Sequence, residues 1–138
     1  MTDYIFDIDG TLMNVEARVE YAKKEKRDTD KVMNWDLFLN EGVMYSFDKP
    51  NWDVCDIFNA LRNKAGNNMI ITTARNERHR EVTEEQLKDA GVWGFVKIYM
   101  RKDGDMRPDD IVKSELLEKI KKDGYNPTVA FDDRDQVV

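Results

Sequence analysis

Hydrophobic and polar positions fall along this chain in blocks that switch between two periods. Tyr4, Ile5, Phe6 and Ile8 form a short β-branched and aromatic run, which predicts a buried strand at the start. Val15, Val19 and Ala22 then recur at helical spacing. Past a charged stretch over 23–30, Thr29-Asp30 is placed to cap a second helix carrying Val32, Met33, Trp35, Leu37 and Phe38. Residues 40–52 mix Gly42 and Pro50 with polar side chains and read as a loop or a short lid. Val54, Ile57, Phe58, Leu61 and Ala65 make the clearest apolar stripe, stopped by Gly66. Met69 to Thr73 reads as a second strand, 77–90 as a charged helix, and Phe95 to Met100 as a third strand. Pro108 opens a further helix with Asp109 and Asp110 in its first turn, where acids suit the helix dipole, and with Val112, Leu116 and Ile120 as its apolar face. Thr128 to Phe131 is a fourth strand.

Strands alternating with helices predict an α/β fold with a parallel, doubly wound sheet of about four strands. Such sheets bind ligands outside the carboxyl ends of their strands. Here all four strands run into charged or hydroxyl residues at that end: Asp7 and Asp9, Thr73 and Arg75, Arg101 and Lys102, and Asp132 to Arg134. That convergence marks one end of the sheet as the expected site.

Composition narrows the class. The 138 residues suit a single domain over 1–138, and 41% hydrophobic with 36% charged residues is a globular balance. No run approaches the roughly 18 apolar residues of a membrane helix, so no membrane partner is expected. The opening strand leaves no room for a signal peptide, and Cys55 alone permits no internal disulfide, so a cytoplasmic setting is expected. A net charge of −6 gives no global attraction for nucleic acid, although local basic clusters occur at 23–27, 75–80 and 101–107. His79, the only histidine, is expected on the surface, which argues against histidine-based phosphoryl chemistry.

Asp7 and Asp9 differ by two positions, so on a strand they share a side. Two adjacent anions are costly without a shared cation or proton. A hard divalent metal is the expected remedy, leaving one carboxylate as nucleophile and the other as acid/base. A solvated Asp-x-Asp-Gly turn is the plain alternative for this fragment.

Asp7-Ile8-Asp9-Gly10-Thr11-Leu12 resembles the signature of the haloacid dehalogenase-like phosphohydrolases. The resemblance implies a Rossmann-like three-layer sandwich with a small helical cap at about 14–50. It also implies Mg2+-dependent catalysis, with Asp7 attacking phosphorus and Asp9 acting as acid and then base. Thr73-Ala74-Arg75 is similar to the family's second motif, making Thr73 a ligand of the phosphoryl group, with Thr72 as its competitor and Arg75 as a phosphate-binding fork. Lys113 matches the third-motif cation; alternatively Asp109 and Lys113, four apart on one helix face, form a surface ion pair. Asp132-Asp133-Arg134 resembles the fourth motif, so Asp133, with Asp132 behind it, would join Asp7 and the Asp9 carbonyl around the metal.

The segments 101–113 and 131–138 further resemble the phosphatase domain of phage polynucleotide kinase/phosphatases, which remove 3′-phosphates from nucleic acid ends. Arg18, Arg75, Asp109 and Lys113 match functional positions of that group; Arg18 otherwise reads as a surface ion-pair residue or one reaching back over the Asp7 pocket. The implied partner is therefore a 3′-phosphorylated DNA or RNA end. Phosphatases of free nucleotides or other small esters, and a catalytically weak phosphate- and metal-binding module, are the rival readings. No Gly-rich phosphate loop with its Lys occurs, so no kinase half is expected. In the relatives a helix and a fifth strand follow the Asp-Asp-Arg motif, and a partner chain is one expected source of that edge.

Overall fold

The computed structural model describes residues 2–132. Four strands form one parallel sheet: β1 (Asp3–Asp7), β4 (Asn68–Asn76), β5 (Lys97–Arg101) and β6 (Pro127–Phe131), in the order β5-β4-β1-β6. Central strand β4 is buried without a break from Met69 to Thr73, as expected for a strand covered on both faces. The α/β fold and its four-stranded parallel sheet agree with the sequence pattern.

Side-chain alternation divides the core between two faces. Phe6, Met69, Ile71, Ile98 and Met100 point to one face, where they meet Cys55 and Phe58 of α4 (Trp52–Arg62) and Leu87 and Ala90 around α5 (Arg80–Asp89). Ile70 and Tyr99, the intervening residues, point to the other and pack on Val112, Leu116 and Ile120 of α6 (Asp109–Lys122). Helices on both faces of the sheet make three layers. Phe6 anchors the larger core, with Phe131 stacked on it at 4.4 Å and Phe58 edge-on at 5.1 Å.

Between β1 and α4 the chain makes a helical excursion. A two-stranded antiparallel ribbon closes its base, pairing β2 (Met13–Asn14) with β3 (Lys49–Pro50). Within it lie α1 (Glu16–Lys24), α2 (Trp35–Phe38) and α3 (Glu41–Phe47), with Tyr21 of α1 stacked on Phe47 of α3 at 4.8 Å.

This segment departs most from expectation. The stretch read as a loop contains α3, started by Asn40, whose side chain accepts from Val43 N at 3.0 Å. A single buried residue, Met44, holds α3 inward, so no apolar stripe announced it. The second helix does not begin at Thr29-Asp30 but at Asn34, whose side chain accepts from Leu37 N. Asp30 instead accepts from Arg27, and Val32 is left exposed. His79 is buried rather than on the surface, its Nδ1 3.1 Å from Glu41 Oε2 at the start of α3.

Candidate active site

The carboxyl ends of β1, β4 and β6 and the first turns of α6 converge beside Asp7. The register pairs Asp7 with Thr72, and Gly10 takes a left-handed conformation (φ 83°) that turns the chain directly after Asp9. Asp7 is only 5% exposed. Lys113 of α6 reaches back to the strand ends, its Nζ lying 2.8 Å from Asp7 Oδ2 and 3.0 Å from Asp132 Oδ2. A cavity of about 390 Å³ opens here, with Asp7, Thr72, Asp110, Lys113 and Asp132 on its polar wall.

Asp9 faces a different environment. Arg75 straddles it, with Nε 3.2 Å from both carboxylate oxygens and Nη2 2.7 Å from Oδ1. Arg18 donates from Nη2 to the same Oδ1 at 2.9 Å. Asp48, the first residue after α3, ties the two arginines together. Its fully buried side chain accepts from Arg18 Nε at 3.0 Å, from Arg75 Nη2 at 3.1 Å and from Gln86 Nε2 at 3.2 Å. Arg75 Nη1 donates to Thr83 Oγ1 and Gln86 Oε1, so every N–H of its guanidinium has a protein acceptor.

The two neighbouring aspartates are tuned in opposite directions. Burial pushes the Asp7 carboxyl up to about 6; Lys113 pulls it down, and Asp132 and Asp9 push it up again. Burial would raise Asp9 as well, but Arg75, Arg18 and Lys113 outweigh it and hold Asp9 below its ordinary value. For Asp48, burial prevails over its two arginines and the carboxyl is raised.

Several expected residues meet here and others do not. Asp7, Asp9, Lys113 and Asp132 come together, linked through Lys113 and the two-residue step of the first loop. Arg18 is not a surface residue: it is 1% exposed and reaches back to grip Asp9, two residues beyond Asp7. Arg75 is engaged by Asp9 and Asp48 rather than standing open to a phosphate. Thr72, not Thr73, lines the cavity, because Thr72 is the residue in register with Asp7. Thr73 Oγ1 accepts from Arg75 N. Asp109 does not pair with Lys113; it accepts from Arg101 Nη2, and Asp110 takes its place at the cavity wall. Asp133 lies outside the described residues. Asp48, Thr83 and Gln86 escaped the sequence reading, since nothing local distinguishes them from surface polar residues; they follow only once two buried guanidiniums demand acceptors.

Among the described residues, no group of three His, Cys, Asp or Glu side chains is placed to hold a metal ion. Mg2+ is commonly bound by only one or two carboxylates, the remaining positions being filled by water and phosphate. Asp7 and Asp132 supply such a pair. Their carboxylate oxygens, both within 3.0 Å of the one Lys113 ammonium, are hard donors at one point of the cavity, and this donor set fits a hard cation.

Comparison with known proteins bears on the family and the fold. The family model described as the polynucleotide kinase PNKP phosphatase domain matches residues 39–138. A chain in a Pnkp1/Rnl/Hen1 RNA repair complex is similar at 25% identity with a TM-score of 0.73, covering 99% of this chain and 37% of that one. A chain in a further Pnkp1/Rnl/Hen1 complex gives 25% identity and a TM-score of 0.74, covering 99% and 40%. This chain thus spans well under half the length of those it resembles. No described helix is long and apolar enough to cross a membrane.

Two outcomes follow from the electrostatics. A carboxyl whose folded value is raised supports the fold below its ordinary value of 3.8 and withdraws that support as pH climbs through about 6. Metal-free Asp7→Asn protein should therefore be more stable than wild type at pH 7.5, by ~1–3 kcal/mol, with the gap closing below pH 5. Urea unfolding in chelator at both pH values measures this; a less stable variant at pH 7.5 would mean that Lys113 outweighs burial. Asp48→Ala, which strips a shared acceptor from two buried guanidiniums, should cost ~3–5 kcal/mol. Asp36→Ala, at an exposed ion pair with Arg27, should cost under ~1 kcal/mol in the same titration.

Proposed function

The chain belongs to the family of the polynucleotide kinase PNKP phosphatase domain, and on that premise we propose that it is a Mg2+-dependent phosphatase of 3′-phosphorylated nucleic acid ends. The observation that carries the reading is Lys113, set between Asp7 and Asp132 at the sheet's carboxyl end. A phosphoryl group entering the cavity there meets a carboxylate to attack it and a cation to hold its charge.

In the first step an Asp7 oxygen bonds to phosphorus and the bond to the 3′ oxygen breaks. The departing oxygen takes a proton from Asp9, leaving an aspartyl-phosphate. In the second, Asp9 removes a proton from water, the water oxygen attacks phosphorus, and the bond to Asp7 breaks to release inorganic phosphate. Lys113 stabilises charge on the equatorial oxygens through both steps, and the Thr72 hydroxyl, on the cavity wall, binds one of them in this reading. Mg2+, held by Asp7 and Asp132, with Asp133 as the further proposed ligand, would neutralise phosphate charge and help orient it.

Arg18 and Arg75 keep Asp9 ionised in the free protein, which suits the base. The acid needs a proton, and the charge of an arriving phosphate supplies the bias, because a nearby anion raises a carboxyl. The arginines hold that carboxylate in one orientation for both transfers.

The test is phosphate release from matched 3′- and 5′-phosphorylated oligonucleotides and from nucleoside monophosphates, with Mg2+, with Ca2+ and in chelator. The 3′ oligonucleotide should be preferred, and activity should need Mg2+ and fail with Ca2+, whose longer bonds and larger ligand number would draw both Asp7 oxygens into coordination. Asp7→Asn should remove turnover by at least ~1,000-fold, as losing a nucleophile does. Mononucleotides turned over far faster than either oligonucleotide would replace this substrate assignment with a small ester. Robust turnover by purified Asp7→Asn protein would end the covalent mechanism.

A further inference from the structure

A short chain of contacts leads from Asp9 out to the surface of the helical excursion. The Arg18 guanidinium that donates to Asp9 lies under the Phe38 ring, its Cζ 4.4 Å from the ring centroid, and Arg18 Nη1 donates to Phe38 O at 3.0 Å. Phe38 in turn meets Trp35 edge to face, with centroids 5.3 Å apart and planes at 84°. Trp35 is 51% exposed, and Val32, three residues earlier in the chain, is 58% exposed. An indole half in water, supported from behind by a second ring, is an apolar surface awaiting an occupant.

The charge around it selects that occupant. Between Lys23 and Lys31 the chain carries five basic residues against three acidic ones, in a protein whose net charge is −6. Lys23, Lys24, Lys26 and Lys31 are all exposed. Arg27 is held by Asp30 and Asp36, and Asp36 lies beside Trp35 on α2. The Arg27–Asp36 pair and the bond from Asn34 Nδ2 to Glu25 O hold this lysine-bearing stretch against the start of α2. An exposed aromatic ring with lysines on the adjoining segment is a combination that binds single-stranded nucleic acid: bases stack on the ring while the cations follow the phosphates.

We infer that Trp35 is a stacking platform for an unpaired base near the 3′ end of a nucleic acid, with the lysines of 23–31 following its backbone. The inference rests on the phosphatase reading for its direction, since the contacts from Asp9 through Arg18 and Phe38 bring the platform within reach of the last few nucleotides. Phe38 couples the two sites, covering the arginine that orients Asp9 and bracing the ring that receives the base. An unpaired base is required, so single-stranded or frayed 3′ ends are favoured over blunt duplex ends.

The experiment uses Trp35→Ala and Trp35→Phe with two readouts. By anisotropy of a labelled single-stranded 3′-hydroxyl oligonucleotide, Trp35→Ala should weaken binding by about 5- to 150-fold, the range for loss of one stacked base, while Trp35→Phe retains most of it. In turnover, the ratio of kcat/KM for a 3′-phosphorylated oligonucleotide to that for p-nitrophenyl phosphate should fall by a similar factor in Trp35→Ala, through KM rather than kcat. A wild-type protein that binds the strand through Trp35 yet releases no phosphate upholds the platform and removes the phosphatase reading. One that removes 3′-phosphates with oligonucleotide binding indifferent to Trp35→Ala does the reverse, and leaves the indole to a protein contact or to none.

Discussion

Everything near the site depends on how three buried charges and one partly exposed charge are balanced. Arg18 and Arg75 are almost fully enclosed, and each guanidinium must be matched by acceptors at fixed angles. Asp9 and Asp48 supply the opposing charges, and Gln86, Thr83 and the Phe38 carbonyl take remaining donors. Such a network adds little net stability, because desolvating four ions offsets most of their attraction. What it fixes is geometry. Asp48 ends α3, Arg18 lies on α1, Arg75 on β4 and Gln86 on α5, so one cluster binds the helical excursion to the sheet and orients Asp9 at their junction.

The same constraint explains what was legible in the sequence. Strands were plain because each is an apolar run that ends in polar residues, and α4 and α6 because each carries a full apolar stripe. Asp7 and Asp9 stood out because charged residues at strand ends in a doubly wound sheet converge at one edge, and Lys113 only because it matches the family's third motif. Asp48 lay hidden because its significance is wholly tertiary: its partners lie 27, 30 and 38 residues away. Helix α3 was missed for a related reason, being held by polar contacts at both ends with only Met44 in the core.

Register decided the finer assignments. A parallel pairing of Asp7 with Thr72 places the hydroxyl at the cavity one residue earlier than the motif resemblance implies. On α6, Asp109 and Lys113 do share a helix face, yet their side chains go separate ways. Arg101, donating to Ala74 O, Asp105 O and Arg107 O, holds the preceding loop against the end of β4 and draws Asp109 to itself. Lys113, one turn further on, is left to span the gap to Asp7 and Asp132. A spacing rule can say which side chains are neighbours; it cannot say which of two acids a cation meets once the helix is docked.

Two aspartates separated by a single residue are thus given opposite electrostatic characters by different neighbours. Asp7 is pushed up because it is buried with one lysine between it and another carboxylate. Asp9 is pulled down because two guanidiniums more than repay its burial. Pairs of groups driven apart in this way suit a division of labour, here the proposed one between an attacking carboxylate and a proton-transfer partner. The separation needs no difference between the two side chains themselves. It arises because the turn at Gly10 ends β1 between two environments, the cavity under α6 and the polar network beneath α1 and α3. The chemistry proposed for the pair is therefore a property of where the sheet stops.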